Sequence, residues 1–376
     1  MNREATKPKV LLIQPVLAHY RRSFLESLLS IPDVEFLILA GEGKVPVKSF
    51  SPEKNTGFYL FRNHSISLKG HRFFWQNGLI SEVLKQKPDA IILPGIDFHY
   101  LGTLILAILI RIMLPAKILW WGHATIEKQG WIGTKLRNFF FGLADGIFTY
   151  NQEGADSILK QFPSKPVIPL FNSLNKEDYG FNEISEPRKE GEAIRILFSG
   201  RFTNKKRVDI LIEALGILKR RKQPFTCRFV GDGPALKDAE NRVKDLGISE
   251  SVEFLGELYG NAAATHFKQS DLFVLPGKVG LSIVHALSFG LPVITTNQKH
   301  VHSPEYELIE PGQNGDFFEG FNPESLADCI IIWNEEINSK GEEIRETCKE
   351  SVIRGAYLPE KMAEQMSSLV RKILTT

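Results

Sequence analysis

Short apolar runs alternate with amphipathic stretches along nearly the whole chain of 376 residues. Val10–Ile13 is apolar, a helical pattern follows near residues 20–29, and Val34–Ala40 is apolar again except for Glu35. Parallel strands joined by crossover helices produce this alternation, because the strands are buried on both faces and the helices on one. The sequence therefore predicts an α/β protein built on doubly wound parallel sheets.

The length favours two domains, and a polar stretch over 175–193 with no periodicity is the best candidate linker. We predict an N-terminal domain over 1–185 and a C-terminal domain over 186–358. Within the first domain, the pattern predicts a helix near 75–85.

Composition indicates a protein of a reducing compartment. The three cysteines are far apart in the sequence and show no spacing typical of a disulfide framework or a zinc site. The N-terminus lacks the cleavage pattern of a signal peptide, so a cytoplasmic protein is expected.

The most apolar run, Leu101–Leu114, is shorter than the ~20 residues that span a bilayer, and it contains Arg111. A helix packed in the core is the favoured interpretation, and an interfacial membrane helix is the alternative. Basic residues outnumber acidic ones over 1–180, which suits an anionic acceptor or lipid headgroups as well as a solvated surface.

The segment Phe273–Thr295 reads as a strand, a glycine turn, a helix and a second strand. The helix begins near Gly280, and the unpaired N–H groups of a first helical turn can bind an anion. Gly290 and Pro292 then end the helix. The segment therefore predicts a phosphate-binding turn.

A second segment with phosphate chemistry is Gly200–Asp209, in which a glycine follows a strand and two cations, Arg201 and Lys206, flank it. Arginine can bind phosphate oxygens bidentately and lysine adds a compact charge. A solvated basic turn is the alternative. The later turn Gly231–Pro234 is a weak signal, and Asp232 is interpreted as a turn residue rather than a metal ligand.

In this order, these segments resemble the donor site of retaining GT-B glycosyltransferases of family 4. The resemblance implies two facing Rossmann-like domains, with a nucleotide-sugar donor on the C-terminal one, an acceptor on the N-terminal one, and a last helix, 359–376, that packs back on the first domain. Arg201, Lys206 and Asp209 match the family pattern, and Arg207 stands where a glycine is usual. The implied donor-binding residues are Gly200, Lys278, Val279, Gly280, Leu281, Ser282, His285 and Glu307.

Two positions depart from that family. Its members normally carry one glutamate before the turn and one on the helix, and the matching residues here are Gly277 and His285. His285 could still bond a ribose hydroxyl, or it could be a histidine packed in the core. Glu307 is implied as a ligand of sugar or ribose hydroxyls, whereas Glu305 and Glu310 are interpreted as solvated.

In the first domain, Trp121 and His123 lie at the carboxyl end of a predicted strand, where open α/β sheets bind ligands. His123 matches a family histidine near the reacting carbon, and Trp121 could stack on a sugar ring; packing is the alternative for both. His19, Tyr20 and Arg21 follow the first strand and are predicted to bind the acceptor, although a helix start would explain them nearly as well.

The resemblance implies a retaining, metal-independent glycosyltransferase of the hexosyltransferase type, with His123, Arg201 and Lys206 as catalytic residues and no cofactor beyond the donor. The expected partners are a nucleotide-sugar and a glycan or lipid-linked acceptor, with no nucleic acid. The expected role is polysaccharide or lipopolysaccharide assembly, in the cytoplasm or peripherally at the inner face of the cytoplasmic membrane. A non-catalytic GT-B partner, a nucleotide-sugar-binding subunit and a nucleotide-sugar epimerase are the alternatives.

Overall fold

The computed structural model describes residues 7–42, 48–53, 56–68, 71–96, 100–124, 130–183, 188–189 and 191–376. The chain divides into an N-terminal unit, Met1–Asn175 with Leu358–Thr376, and a C-terminal unit, Lys176–Tyr357. Each unit is built on a mainly parallel sheet flanked by helices. The predicted α/β fold with two parallel-sheet domains is therefore confirmed.

The N-terminal sheet has the order β4-β3-β2-β1-β5-β6-β7-β8 over the described residues, with β3 and β4 antiparallel and every other pair parallel. Its strands are β1 (Lys9–Gln14), β2 (Glu35–Glu42), β3 (Phe58–Leu68), β4 (His71–Gln76), β5 (Ala90–Pro94), β6 (Lys117–Gly122), β7 (Gly146–Thr149) and β8 (Val167–Pro169). The strand order reverses between β1 and β5, and such a switch point leaves a crevice at the carboxyl ends of the two strands.

Helices cover both faces of this sheet, which explains why its central strands carry apolar residues at consecutive positions, as in Val10–Ile13. Val10 and Leu12 of β1 enter one core cluster, and Leu11 and Ile13 enter the other. The helices are α1 (Arg22–Leu29), α2 (Leu79–Gln86), α3 (Leu101–Met113), α4 (Trp131–Leu143) and α5 (Gln152–Gln161). Across the described residues, no helix is both long enough and apolar enough to cross a bilayer.

The C-terminal sheet is wholly parallel in the order β11-β10-β9-β12-β13-β14, which is the Rossmann order. Its strands are β9 (Ile194–Ser199), β10 (Phe225–Val230), β11 (Val252–Phe254), β12 (Leu272–Val274), β13 (Val293–Thr296) and β14 (Gly315–Phe318), and its helices are α6 (Val208–Arg220), α7 (Leu236–Asp245), α8 (Gly260–Lys268), α9 (Ser282–Ser288) and α10 (Pro323–Arg354). Its switch point lies between β9 and β12.

The last helix, α11 (Pro359–Leu374), belongs to the N-terminal unit. Its apolar side chains join the core cluster that contains Phe24 and Leu28 of α1; they are Met362, Ala363, Met366, Leu369, Val370 and Ile373. The helix is thus held by burial of one apolar face.

The passage between the units comes earlier than the expected boundary at residue 185. Gly180 N donates a hydrogen bond to Ser288 Oγ (3.1 Å), and Arg188 Nε lies 3.5 Å from Asp271 Oδ2. Residues of the predicted linker are therefore packed in the C-terminal unit, where buried polar groups of α9 and the loop before β12 hold them.

The hairpin of β3 and β4 is not expected from the sequence, and the predicted helix near 75–85 starts too early. Trp75 lies in β4, opposite His64, and helix α2 begins only at Leu79. The apolar run Phe73–Trp75 suits a strand as well as a helix, because short apolar runs do not distinguish the two.

Candidate functional site

Two turns meet at the switch point of the C-terminal sheet, one after β9 and one after β12. Gly277 N donates to the Lys206 carbonyl (3.1 Å), and Lys278 N donates to the Lys205 carbonyl (2.7 Å). In return, Lys206 Nζ donates to the Lys278 carbonyl at 2.7 Å. The two segments in which the sequence predicts phosphate binding are therefore packed together, and the Lys206 and Lys278 side chains lie near each other.

The Lys206 ammonium is in an environment that disfavours its charge. Burial, and to a lesser extent the nearby Lys278 ammonium, lower the pKa of Lys206 from 10.5 to about 8, while the Glu305 carboxylate opposes them. Arg201 is exposed, and within the described residues its guanidinium makes no hydrogen bond or ion pair. An anion placed here would neutralise a surplus of positive charge, and strongly perturbed groups of this kind mark functional sites.

Gly277 has no room for a side chain. A Cβ at this position would lie 2.2 Å from the Lys205 carbonyl oxygen and 2.6 Å from the Lys206 carbonyl carbon. Both are backbone atoms, so the two turns can pack this closely only because residue 277 is glycine. The glutamate that the resemblance places at this position is therefore incompatible with the turn as it is folded here.

Arg207 adopts a left-handed conformation, with φ of 51° and ψ of 45°. This conformation explains why the resemblance places a glycine here. The guanidinium contacts Asp209, with Nη2 2.8 Å from Oδ2, and lies 4.4 Å from the centre of the Phe321 ring. These contacts offset the backbone strain of a non-glycine residue.

His302 supports the turn from the β13 side, and sequence reasoning missed it. Its Nε2 lies 2.8 Å from the Thr296 carbonyl, and Val279 N donates to its Nδ1 at 3.4 Å. Burial lowers the pKa of His302, and a neutral ring with its proton on Nε2 fits both bonds. His302 therefore fixes the Val279 backbone, with no sequence pattern that would have indicated it.

The expectation that Glu305 is solvated is wrong. Its side chain is 3% exposed, and its Oε2 lies 4.0 Å from the position that a Gly280 Cβ would occupy. Glu307 is half-buried in the same 3-10 turn, Pro304–Leu308. Glu310 pairs with Arg354 (2.5 Å), and its side chain is 35% exposed. Glu305, rather than Glu310, thus adds a carboxylate beside the start of α9.

His285 packs among aromatic rings. Its ring centre lies 4.2 Å from that of Phe267 and 5.3 Å from that of Phe289. Burial lowers the pKa of His285 to about 4, so the ring is neutral at physiological pH. These contacts favour the packing interpretation; a bond to ribose stays a prediction.

The remaining predicted donor residues lie where the two turns meet. Gly200 follows β9, with its N–H bonded to the Val230 carbonyl (2.9 Å), and Leu281 and Ser282 begin α9 half-buried. The Asp232 carboxylate bonds the Gly233 N–H at 2.6 Å, as a turn residue does. In the described part of the chain, no three His, Cys, Asp or Glu side chains are grouped as metal ligands would be.

In the N-terminal unit, Arg21 organises the crevice between β1 and β5. Its Nη1 donates to Gln14 Oε1 (2.7 Å), its Nη2 donates to the Tyr150 hydroxyl (2.8 Å), and its guanidinium carbon lies 4.4 Å from the Trp121 ring centre. Gln14 and Tyr150 were not expected, because they are distant from Arg21 in the sequence. Arg21 is therefore held in place rather than free on a helix surface.

The expected stacking of a sugar on Trp121 is wrong. The side chain is 1% exposed, with Phe24 edge-on at 5.3 Å and Arg21 above it. Helices cover both faces of a parallel sheet, so consecutive Trp120 and Trp121 are both buried. Trp121 forms the floor under Arg21.

His123 is the first exposed side chain after β6, and its ring lies 4.7 Å from that of Tyr150. Both line a cavity of about 240 Å³, together with Gln14, Arg21 and Tyr100. His19 is exposed, with Nδ1 3.4 Å from Asn175 Nδ2, and Tyr20 lies beside Arg21. The structure thus brings Arg21 and His123 to one cavity, which we call the polar cavity after its polar side chains, and it places His19 in the 3-10 turn His19–Arg21 that precedes α1.

Comparison with known proteins gives the same family throughout. A sequence model described as glycosyl transferases group 1 matches residues 181–374. An uncharacterised glycosyltransferase of Haemophilus influenzae is 22% identical over 90% of this chain and 91% of its own length. An uncharacterised glycosyltransferase of Methanocaldococcus jannaschii is 30% identical over 49% of this chain and 47% of its own length. Mannosylfructose-phosphate synthase of Agrobacterium fabrum is 24% identical over 43% of this chain and 35% of its own length. The chain spans less than half the length of the latter two.

Solved structures agree over nearly the whole chain. A glycosyltransferase of Rickettsia africae superposes with a TM-score of 0.72 at 15% identity, covering 98% of this chain and 99% of its own. HepE of Anabaena in complex with UDP superposes with a TM-score of 0.66 at 17% identity, covering 97% and 100%. At this identity the likeness shows the fold, which is GT-B.

Proposed function

Because the chain belongs to the glycosyl transferases group 1, we propose that it is a retaining, metal-independent glycosyltransferase that moves a sugar from a nucleotide-sugar to a glycan or lipid-linked acceptor. The observation that carries the proposal is the environment of the Lys206 ammonium. It donates a hydrogen bond to the Lys278 carbonyl, and burial together with the nearby Lys278 ammonium lowers its pKa. Such a site gains most from a diphosphate whose negative charge grows as the sugar leaves.

The side chains divide the work as follows. Arg201 and Lys206 bind the departing diphosphate, and Lys278 adds charge on the same surface, so protein cations supply what a metal supplies elsewhere. The acceptor hydroxyl attacks on the face from which the nucleotide leaves, which retains the anomeric configuration. His123 and Arg21 bind hydroxyl or phosphate groups in the polar cavity of the N-terminal unit.

We expect calorimetric titration of the purified protein with UDP, GDP and ADP to show one nucleotide binding at least tenfold more tightly than the others. A panel of sugars on that nucleotide, offered with oligosaccharide and lipid-linked acceptors in the presence of EDTA, should then give a product with the donor's anomeric configuration by NMR. An inverted product would contradict retention, and activity abolished by EDTA would contradict metal independence.

A nucleotide-sugar-binding subunit without transfer activity is the second candidate, and the crowding around Gly277 and the packing of His285 favour it. It predicts tight donor binding with no product for any acceptor. An epimerase would instead convert the donor with no acceptor present. The same panel separates the three, because donor consumption and product formation are measured independently.

We also propose that one face of the N-terminal unit lies on the anionic inner surface of the cytoplasmic membrane. Helices α3 and α4 contact each other, each leaves apolar side chains exposed, and neither carries Asp or Glu. Lys135 Nζ lies 4.6 Å from the Trp131 ring centre. Interfacial helices combine these features. The exposed apolar residues of this membrane face are Ile108, Ile112, Met113, Trp131, Leu136 and Phe139.

We expect the protein to sediment with vesicles that contain phosphatidylglycerol, and the double variant Ile112→Glu, Phe139→Glu to lower the partition coefficient at least tenfold. Burial of each such side chain stabilises the bound state by about 1.5–3 kcal/mol. Ile332→Glu, an exposed isoleucine of α10, is the matched control. Equal losses in the control and the double variant would overturn the proposed face.

A further inference from the structure

A second cavity of the N-terminal unit, about 320 Å³ in volume, is lined almost wholly by apolar side chains. Its walls come from the end of β1, from β4, from the start of α2 and from the start of α3. Ligand pockets begin at about this volume, and their linings are mainly apolar and aromatic. The lining includes Ile13, Phe74, Trp75, Leu79, Ile80 and Ile105.

This apolar pocket adjoins the polar cavity that holds Arg21 and His123. Pro15, Pro94 and Tyr100 line both cavities. Phe74 stacks on Tyr100 with ring centres 5.3 Å apart, which holds the shared wall in place. The two cavities therefore adjoin, which suits a molecule with a polar head and an apolar tail.

The far side of the pocket is open and apolar. Ile105 is 51% exposed and Trp75 is 41% exposed, and both line the pocket. Ile105 lies one helical turn before Ile108, on the side of α3 that carries the membrane face. The pocket thus runs from the polar cavity toward the surface that we place on lipid.

We propose that this pocket is a subsite for the hydrocarbon chain of the acceptor, so that the acceptor is an amphiphile whose head, not its tail, lies with Arg21 and His123. This subsite rests on the proposed function, because only a transferase has an acceptor. It selects the lipid-linked class over free glycans, because a free glycan would leave the apolar walls in contact with water.

The test uses n-butyl, n-hexyl and n-octyl glucosides below their critical micelle concentrations, with Kd measured by calorimetry. We expect Kd to fall about fourfold for each methylene that enters the pocket, equivalent to about 0.8 kcal/mol per CH₂. Tryptophan emission should shift to shorter wavelength, and the shift should vanish in Trp75→Phe, which keeps an aromatic wall.

Ile105→Asp should raise the Kd of octyl glucoside at least tenfold and leave that of butyl glucoside unchanged, and the uncharged variant Ile105→Ser should show the same trend. Ile353→Asp is the matched control, because Ile353 is 50% exposed on α10. The subsite would be overturned by a Kd that does not depend on chain length. It would also be overturned by an emission shift that persists in Trp75→Phe, or by an equal loss of octyl glucoside affinity in Ile353→Asp. None of these measurements needs a donor or a transfer reaction, so failure of the proposed function would show separately, as absence of product.

Discussion

Lys206→Ala is expected to lower kcat/KM for sugar transfer at least hundredfold, and Lys205→Ala less than twofold. Removal of one group that stabilises developing charge costs about 2.7–4 kcal/mol of transition-state free energy. Lys206 is fixed on the Lys278 carbonyl, whereas the neighbouring Lys205 has the same charge on an exposed side chain. The comparison therefore separates a positioned ammonium from general electrostatic attraction.

The pH dependence of nucleotide binding gives a second measure of Lys206. Its pKa of about 8 lies below the ordinary 10.5, so the free protein loses this proton at a lower pH than an exposed lysine does. A bound diphosphate favours the ammonium, so binding should take up a proton near pH 8 and weaken as the pH rises further. Calorimetry in buffers of different ionisation enthalpy measures that uptake.

Lys206→Arg should bind nucleotide without this pH dependence, because a guanidinium stays charged. If Lys206→Arg and the unmodified protein weakened in parallel above pH 8, the titrating group would be another residue. If Lys206→Ala and Lys205→Ala lost the same activity, the positioned-ammonium account would be wrong.

The strands of both sheets could be predicted where both faces are buried, as in Val10–Ile13, because such a strand is a short, uniform apolar run and recurs between amphipathic stretches. The hairpin of β3 and β4 could not be predicted. The hairpin is the edge of the sheet, and its apolar residues Ile66 and Leu68 are exposed. Apolar residues therefore do not mark a buried face in this segment, and a period-two strand pattern is not seen.

The site shows the same division. That Arg201 and Lys206 follow β9 in one glycine-led turn could be predicted from the sequence, and their binding of a phosphate stays a prediction. The places of His302 and Glu305 could not be predicted, since only the folded chain brings His302 to the Val279 N–H and the Glu305 carboxylate near Gly280. Trp121 was misassigned because sequence locates the end of a strand but not its first exposed side chain, which is His123.

Gly277→Glu, which places the family's glutamate at its matching position, is expected to abolish nucleotide binding rather than improve the enzyme. The new Cβ would lie 2.2 Å from the Lys205 carbonyl oxygen, so the turn that fixes Lys206 must move. Even Gly277→Ala should cost about 1–3 kcal/mol of stability through overpacking and weaken nucleotide binding at least tenfold.

Gly142→Ala in α4 is the matched control for Gly277→Ala. A Cβ there meets no atom within 4 Å, so alanine should leave nucleotide binding unchanged and raise stability by up to about 1 kcal/mol through helix propensity. Thermal unfolding and calorimetric titration of the variants measure both quantities. If Gly277→Glu bound nucleotide normally and transferred sugar faster, the turn would be able to open for a side chain. The packing of Gly277 on the Lys205–Lys206 backbone would then not explain why this site lacks the family's glutamate.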